Sequence, residues 1–196
     1  MKKYLPKIVG SGLNLIGYIS PLYAAKLAIN VFSTPRKGKL NETESDYLKS
    51  AIQEQISCNG LSIKTYYWSG IKETILLVHG WESNSFRWKD LIELLKLENY
   101  NIVSVDAPAH GDSDGKTFNA VLYSQCIHTA IKKFDVNIII GHSIGGTASA
   151  ISYFEHDLES VKKLISLGSP ANLESLVNNY KQMMGFNKRV SNAMNQ

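Results

Sequence analysis

Short apolar runs recur along this chain, set a helix-length apart. Residues 74–78, 101–105, 136–140 and 163–167 are brief and rich in Ile, Leu and Val, and the stretches between them, 86–97, 119–133 and 144–154, carry apolar residues at three- and four-residue spacing. Near-continuous apolar strands are buried on both faces, and helix-length connections between strands make them parallel. The pattern predicts an α/β fold, a mostly parallel sheet with helices on both faces. Residues 62–68, β-branched and aromatic after a turn signal at Gly60, predict an earlier strand. Residues 42–55 read as a polar helical stretch, and 173–184 as a late helix.

Sheets of this kind bind ligands outside the carboxyl ends of their strands, so the residues directly after each strand are the candidates for chemistry. After the run ending at Ile140 stands Gly141-His142-Ser143-Ile144-Gly145-Gly146, a G-x-S-x-G between a predicted strand and a predicted helix. A serine on a strained strand-to-helix turn projects its hydroxyl at a helix amino-terminus, and flanking glycines let other backbone approach. After the run ending at Val78 stands His79-Gly80-Trp81, where the Trp81 amide would pair with that of Ile144 as two donors for a developing oxyanion. His79 reads as a residue that holds loop shape through hydrogen bonds. The third segment, Asp106-Ala107-Pro108-Ala109-His110-Gly111-Asp112-Ser113, reads as a loop forming the floor of the site. Asp106 and His110 lack an obvious third ligand, so no metal is expected there.

These three segments, in this order and spacing, resemble the α/β-hydrolase superfamily over about residues 61 to 170. The arm ending in Phe32-Ser33-Thr34-Pro35-Arg36-Lys37 resembles a less characterised bacterial branch of it. The resemblance implies a serine hydrolase without cofactor, acting on esters, thioesters or similar acyl compounds. It maps Ser143 to the nucleophile and Trp81 and Ile144 to the oxyanion donors, with His79, Gly80, Gly141, His142, Gly145, Gly146, Asp106 and His110 supporting the elbow and its loops. Transfer of the acyl group to an acceptor other than water, and haloperoxidase-like side chemistry, stay open.

In that superfamily an acid and then a histidine follow the serine, on loops after two further strands. After Ser143 the only histidine is His156, roughly 20 Å along the helix that the elbow starts. It is too far to serve as the base. Asp157, Glu159 and Glu174 match no acid position of the family. The expectation is an α/β-hydrolase-like domain, carboxyl-terminally truncated and lacking the last strands, with an unpaired sheet edge open to pairing. The alternative is a non-catalytic remnant that binds a partner or ligand.

The net charge of +4 is uneven: seven of the 21 basic residues precede the first acid, Glu42, leaving 14 basic against 17 acidic residues in the rest. No basic stripe lies on the regular elements, which argues against nucleic-acid binding. In residues 1–40, Leu15, Ile16, Ile19, Leu22, Ala25, Ala28, Ile29 and Phe32 recur at helical spacing around Pro21, predicting two short amphipathic helices packed on a domain of residues 41–196. A basic helix pair on an anionic membrane surface, and a cleaved signal peptide, are the alternatives; a membrane span is not expected. A cytoplasmic location follows from the first reading. Cys58 and Cys126, far apart in sequence, read as separate thiols filling core space.

Overall fold

A computed structural model describes residues 4–195 except 157 and 171. In chain order the elements are α1 (Leu5–Ile19), α2 (Pro21–Ser33), α3 (Glu42–Leu48), β1 (Ile52–Cys58), β2 (Leu61–Trp68), β3 (Thr74–Val78), a 3-10 turn (Ser85–Trp88), α4 (Lys89–Leu97), β4 (Asn101–Val105), α5 (Ala120–Phe134), β5 (Ile138–His142), α6 (Ile144–Glu155), β6 (Lys163–Leu167), α7 (Leu173–Met184) and α8 (Lys188–Ala193). The chain divides into two compact units, residues 35–170 and residues 1–34 with 171–196. Charge and proline suggested a boundary near residue 40; by compactness it falls at 34/35, and the helices after 171 group with the arm.

The unit of residues 35–170 holds a six-stranded sheet in the order β1-β2-β4-β3-β5-β6, with β3, β4, β5 and β6 mutually parallel and β1 and β2 antiparallel at one edge. Side chains alternate across a strand. Ile75, Leu77, Ile102 and Ile140 point to one face, where Leu48, Trp88 and Ile92 of the flanking helices meet them. Leu76, Val78, Val103 and Val105 point to the other and are fully buried, with α5 packed on β1, β3 and β4, and α6 on β5 and β6. The central strands β3, β4 and β5 are largely apolar because both of their faces are covered.

Two boundaries differ from the sequence reading. Residues 42–55 are not one helix: α3 stops at Leu48 and Ile52 begins β1. The strand wins because Ile56 and Cys58 alternate inward and Asn59-Gly60, at φ 49° and 77°, close a two-residue hairpin onto Leu61. An Asn-Gly turn with both φ positive matches the twist of paired strands. The strand expected at 136–140 starts two residues later and runs into His142, because Asn137 bonds across to β3 instead: its amide donates to the Thr74 carbonyl, and its side-chain oxygen accepts from the Thr74 amide.

In the other unit, α1 and α2 meet at Ser20, whose hydroxyl caps α2 by accepting from the Tyr23 amide. Gly10, Leu13 and Gly17 of α1 are buried, and Leu13, Ala28, Tyr180 and Met184 form a small core. The Tyr180 hydroxyl donates to the Ala28 carbonyl. Among the described residues no helix is long and apolar enough to cross a membrane.

Candidate active site

Ser143 lies between β5 and α6 at φ 53° and ψ −130°. That region is essentially reserved for glycine and costs of order 1–3 kcal/mol for any other residue. The surroundings hold it there. The Ser143 amide donates to the Leu167 carbonyl of β6 at 2.9 Å, and the Ser143 carbonyl accepts from Gly146 at 3.0 Å. A Cβ on Gly145 would stand 2.3 Å from the His79 carbonyl oxygen, and one on Gly141 would stand 2.5 Å from the Gly146 Cα. The two glycines therefore let the first turn of α6 press against the end of β3 and against the end of its own strand.

The chain leaving β3 closes over this turn. A Cβ on Gly80 would meet the Ser143 Cβ at 3.0 Å and the His142 Nδ1 at 3.1 Å, so His79-Gly80-Trp81 runs directly beside the elbow. Ile144 is the first residue of α6, where backbone amides have no intrahelical acceptor. Among the described residues neither the Trp81 nor the Ile144 amide donates a hydrogen bond. The Trp81 ring, partly exposed, stands edge-on to His110 and Phe118 at 5.4 and 5.5 Å between centroids.

The neighbouring loop after β4 is closed in a different way. Asp106 is fully buried; its Oδ1 accepts from the Ser85 amide at 2.8 Å, and its Oδ2 accepts from the Asp112 amide at 3.0 Å and the Tyr66 hydroxyl at 3.1 Å. The Ser113 hydroxyl donates to the Asp106 carbonyl. His79 donates from Nδ1 to the Gly80 carbonyl at 2.7 Å and accepts at Nε2 from the Ala107 amide at 2.9 Å. Its neutral tautomer is fixed by these partners, and burial, then the nearby His110, lower its pKa to about 3. His110 repeats the arrangement, with Nδ1 donating to the Pro108 carbonyl and Nε2 accepting from the Glu82 amide; burial again lowers its pKa. Neither ring has a nitrogen free to take a proton from Ser143.

Of the remaining histidines, His142 stays beside the elbow and the others do not. His142 keeps its Nδ1 against Gly80, without a hydrogen-bond partner among the described residues, its pKa lowered by burial and then by Arg87. His156, at the far end of α6, stacks on His128 of α5 with ring centroids 3.8 Å apart. Asp157, one of the acids without a family position, lies outside the described residues. Sequence reasoning missed Tyr66, Ser85 and Asp112 as partners of Asp106, and Ser166 and Ser169, whose hydroxyls occupy the space a Cβ on Gly146 would need. Only Gly111, which leaves room for the Asp106 carboxylate, gave a local hint.

With this geometry in hand, the family model of the Alpha/beta hydrolase family matches residues 75–185. The chain is 31% identical over 109 residues to (E)-2-((N-methylformamido)methylene)succinate hydrolase of Acinetobacter baylyi, covering 52% of this chain and 40% of that protein. It is 27% identical over 92 residues to an uncharacterized hydrolase, YugF, of Bacillus subtilis, covering 43% of this chain and 32% of that one. Among solved structures, alpha/beta hydrolase domain-containing protein 10 from mouse superposes with a TM-score of 0.59 at 19% identity, over 67% of this chain and 54% of that one. An esterase from Exiguobacterium antarcticum does so with 0.58 at 21% identity, over 67% and 56%. The chain thus spans less than half the length of these curated relatives, and the structural likenesses speak to fold alone. The matched segment runs from β3 through the elbow and β6 into α7, and on it the chain belongs to the Alpha/beta hydrolase family.

Proposed function

We propose that this chain carries the nucleophilic half of a serine hydrolase site for esters, thioesters or similar acyl compounds. The observation that carries the reading is Ser143 held at φ 53° and ψ −130° at the mouth of α6. Ordinary folding gives no reason to keep a non-glycine residue there, whereas attack on a carbonyl needs a hydroxyl lifted clear of the sheet. The Ser143 Oγ attacks, and the charge that develops on the carbonyl oxygen is received by the Ile144 and Trp81 amides, with the helix amino-terminus adding its partial positive charge. A serine without a base is a weak nucleophile at neutral pH. His79 and His110 have both ring nitrogens committed, so the base is not one of them.

The test is hydrolysis of a small activated ester by the purified chain, set against Ser143→Ala in the same buffer. Turnover that falls to the uncatalysed rate in the variant supports the reading. Equal rates in both count against it and favour a non-catalytic domain that binds a ligand or a partner, with the exposed β6 edge, where Ile165 and Leu167 face solvent, as the first surface to probe.

A specific observation favours a second reading for the arm, contact with an anionic membrane surface. α1 is apolar on two sides. Gly10, Leu13 and Gly17 are buried, while Ile8, Leu15 and Ile19, one helical face by their spacing, are 66%, 69% and 91% exposed. Lys7 and Lys26 are exposed on the same helix pair, and no acid precedes Glu42. Large exposed apolar surface beside basic residues suits anionic lipid. Co-sedimentation with phosphatidylserine vesicles, weakened by salt and lost in Leu15→Glu, is expected; no pelleting with these vesicles at low salt would sink the idea.

A further inference from the structure

Cys58 and Cys126, far apart in sequence, are brought together in the structure. Cys58 ends β1, paired with Leu61 where the hairpin closes, and Cys126 lies in the second turn of α5. Their sulfurs are 2.6 Å apart, about 0.6 Å more than a disulfide bond. The approach is fixed by backbone placement, because other contacts bracket it along the same strand and helix. Glu54 pairs with Lys133, and the Asn59 side chain bonds that of Gln125. From residue 54 to 58 a strand advances about 14 Å, and from 126 to 133 a helix advances about 10 Å. The two elements run antiparallel, and the sulfurs meet between the two flanking contacts.

We propose that Cys58 and Cys126 form an internal dithiol site that a small hydroperoxide oxidises to a disulfide, fastening the edge strand β1 to α5. The burial sets the class of oxidant. Cys58 is 4% exposed and Cys126 not at all, so a bulky disulfide reagent is kept out where hydrogen peroxide is not. Cys58 is the one of the pair with any exposed surface, so the peroxide reaches its sulfur first, while burial and the adjoining Cys58 thiol push the Cys126 thiol up. The Cys58 thiolate takes one peroxide oxygen as the O–O bond breaks, giving a sulfenic acid and, with one proton, water. The Cys126 sulfur then attacks the Cys58 sulfur, the S–O bond breaks, and the hydroxyl leaves as a second water with the Cys126 proton. Two thiols lose two electrons, and the peroxide gains them.

The link would close a loop with 67 residues between its ends and hold a strand that has only one sheet neighbour. It acts on stability, mainly by restricting the unfolded chain. The experiment is treatment of the intact chain with hydrogen peroxide, followed by alkylation in denaturant, intact mass and a non-reducing digest. The expected product has lost two hydrogens, shows no alkylated cysteine and yields a Cys58–Cys126 linked peptide, with a thermal midpoint raised by about 5–15 °C that dithiothreitol reverses. Cys58→Ser and Cys126→Ser each lack the rise. Two alkylatable thiols after treatment, or oxygen atoms added at either cysteine without a link, would overturn the proposal, and the wild-type digest decides this even if a variant folds poorly.

Discussion

The loop after β4 and the elbow after β5 stand at the same end of the sheet, on the two strands that flank β3, and they treat polar groups in opposite ways. At Asp106 every polar atom has found a partner: the carboxylate accepts three hydrogen bonds from three different parts of the chain, and both nearby histidines are held as neutral tautomers. At Ser143 the backbone is forced into a costly conformation, and two nearby amides, those of Trp81 and Ile144, have no acceptor among the described residues. One loop uses polarity to become rigid; the other leaves polarity open. The first makes the second tolerable, since β3 and the residues after it lie between them and press on both.

The largest effect is expected from Asp106→Ala. It strands the buried Ser85 amide and Tyr66 hydroxyl and the partly buried Asp112 amide, and each lost acceptor carries a desolvation cost. A loss of about 3–5 kcal/mol in unfolding free energy is expected, read as a lower urea midpoint at unchanged slope. A loss under about 1 kcal/mol would mean that the loop is not held by its carboxylate.

How much of this was legible in the sequence follows the same division. The parallel strands and the elbow were readable because their signals are local: continuous apolar runs, helical periodicity, and a serine framed by glycines at a strand end. The Asp106 cluster was not, because Tyr66, Ser85 and Asp112 reach it from β2, from the 3-10 turn and from its own loop, and no spacing in the chain announces that meeting. β1 was missed although Asn59-Gly60 marked its end, because the polar residues Gln53, Glu54 and Gln55 let a helical reading continue past Leu48. The Cys58–Cys126 contact depended on that strand and was lost with it.

Acid acts on the closed loop through His79. Its folded pKa of about 3 lies below the roughly 6.5 of an unfolded histidine, so between those values the unfolded chain binds more protons. Stability is therefore complete above about pH 6.5 and drains away as pH falls. From pH 7.5 to pH 5 the loss assigned to this one group is about 2 kcal/mol. His110, His128 and His142, all lowered by burial, act in the same direction. Urea midpoints at the two pH values should separate, and His79→Gln should narrow the gap. An unchanged gap in the variant would show that the slope comes from other groups.

The smallest expected effect has the opposite sign and bears on the elbow alone. Replacing Ser143 by alanine removes the hydroxyl and keeps the Cβ, so the clash that makes φ 53° with ψ −130° costly persists and stability should hardly move. Replacing it by glycine removes the Cβ and with it the strain, against which the greater freedom of glycine in the unfolded chain must be set. The net expectation is that Ser143→Gly is more stable than Ser143→Ala by about 1 kcal/mol while both lack turnover. Because neither variant carries the hydroxyl, the difference between their urea midpoints reads the backbone alone. If glycine proves no more stable than alanine, Ser143 is not under tension, and the contrast between a closed loop and a strained, open elbow loses its second half.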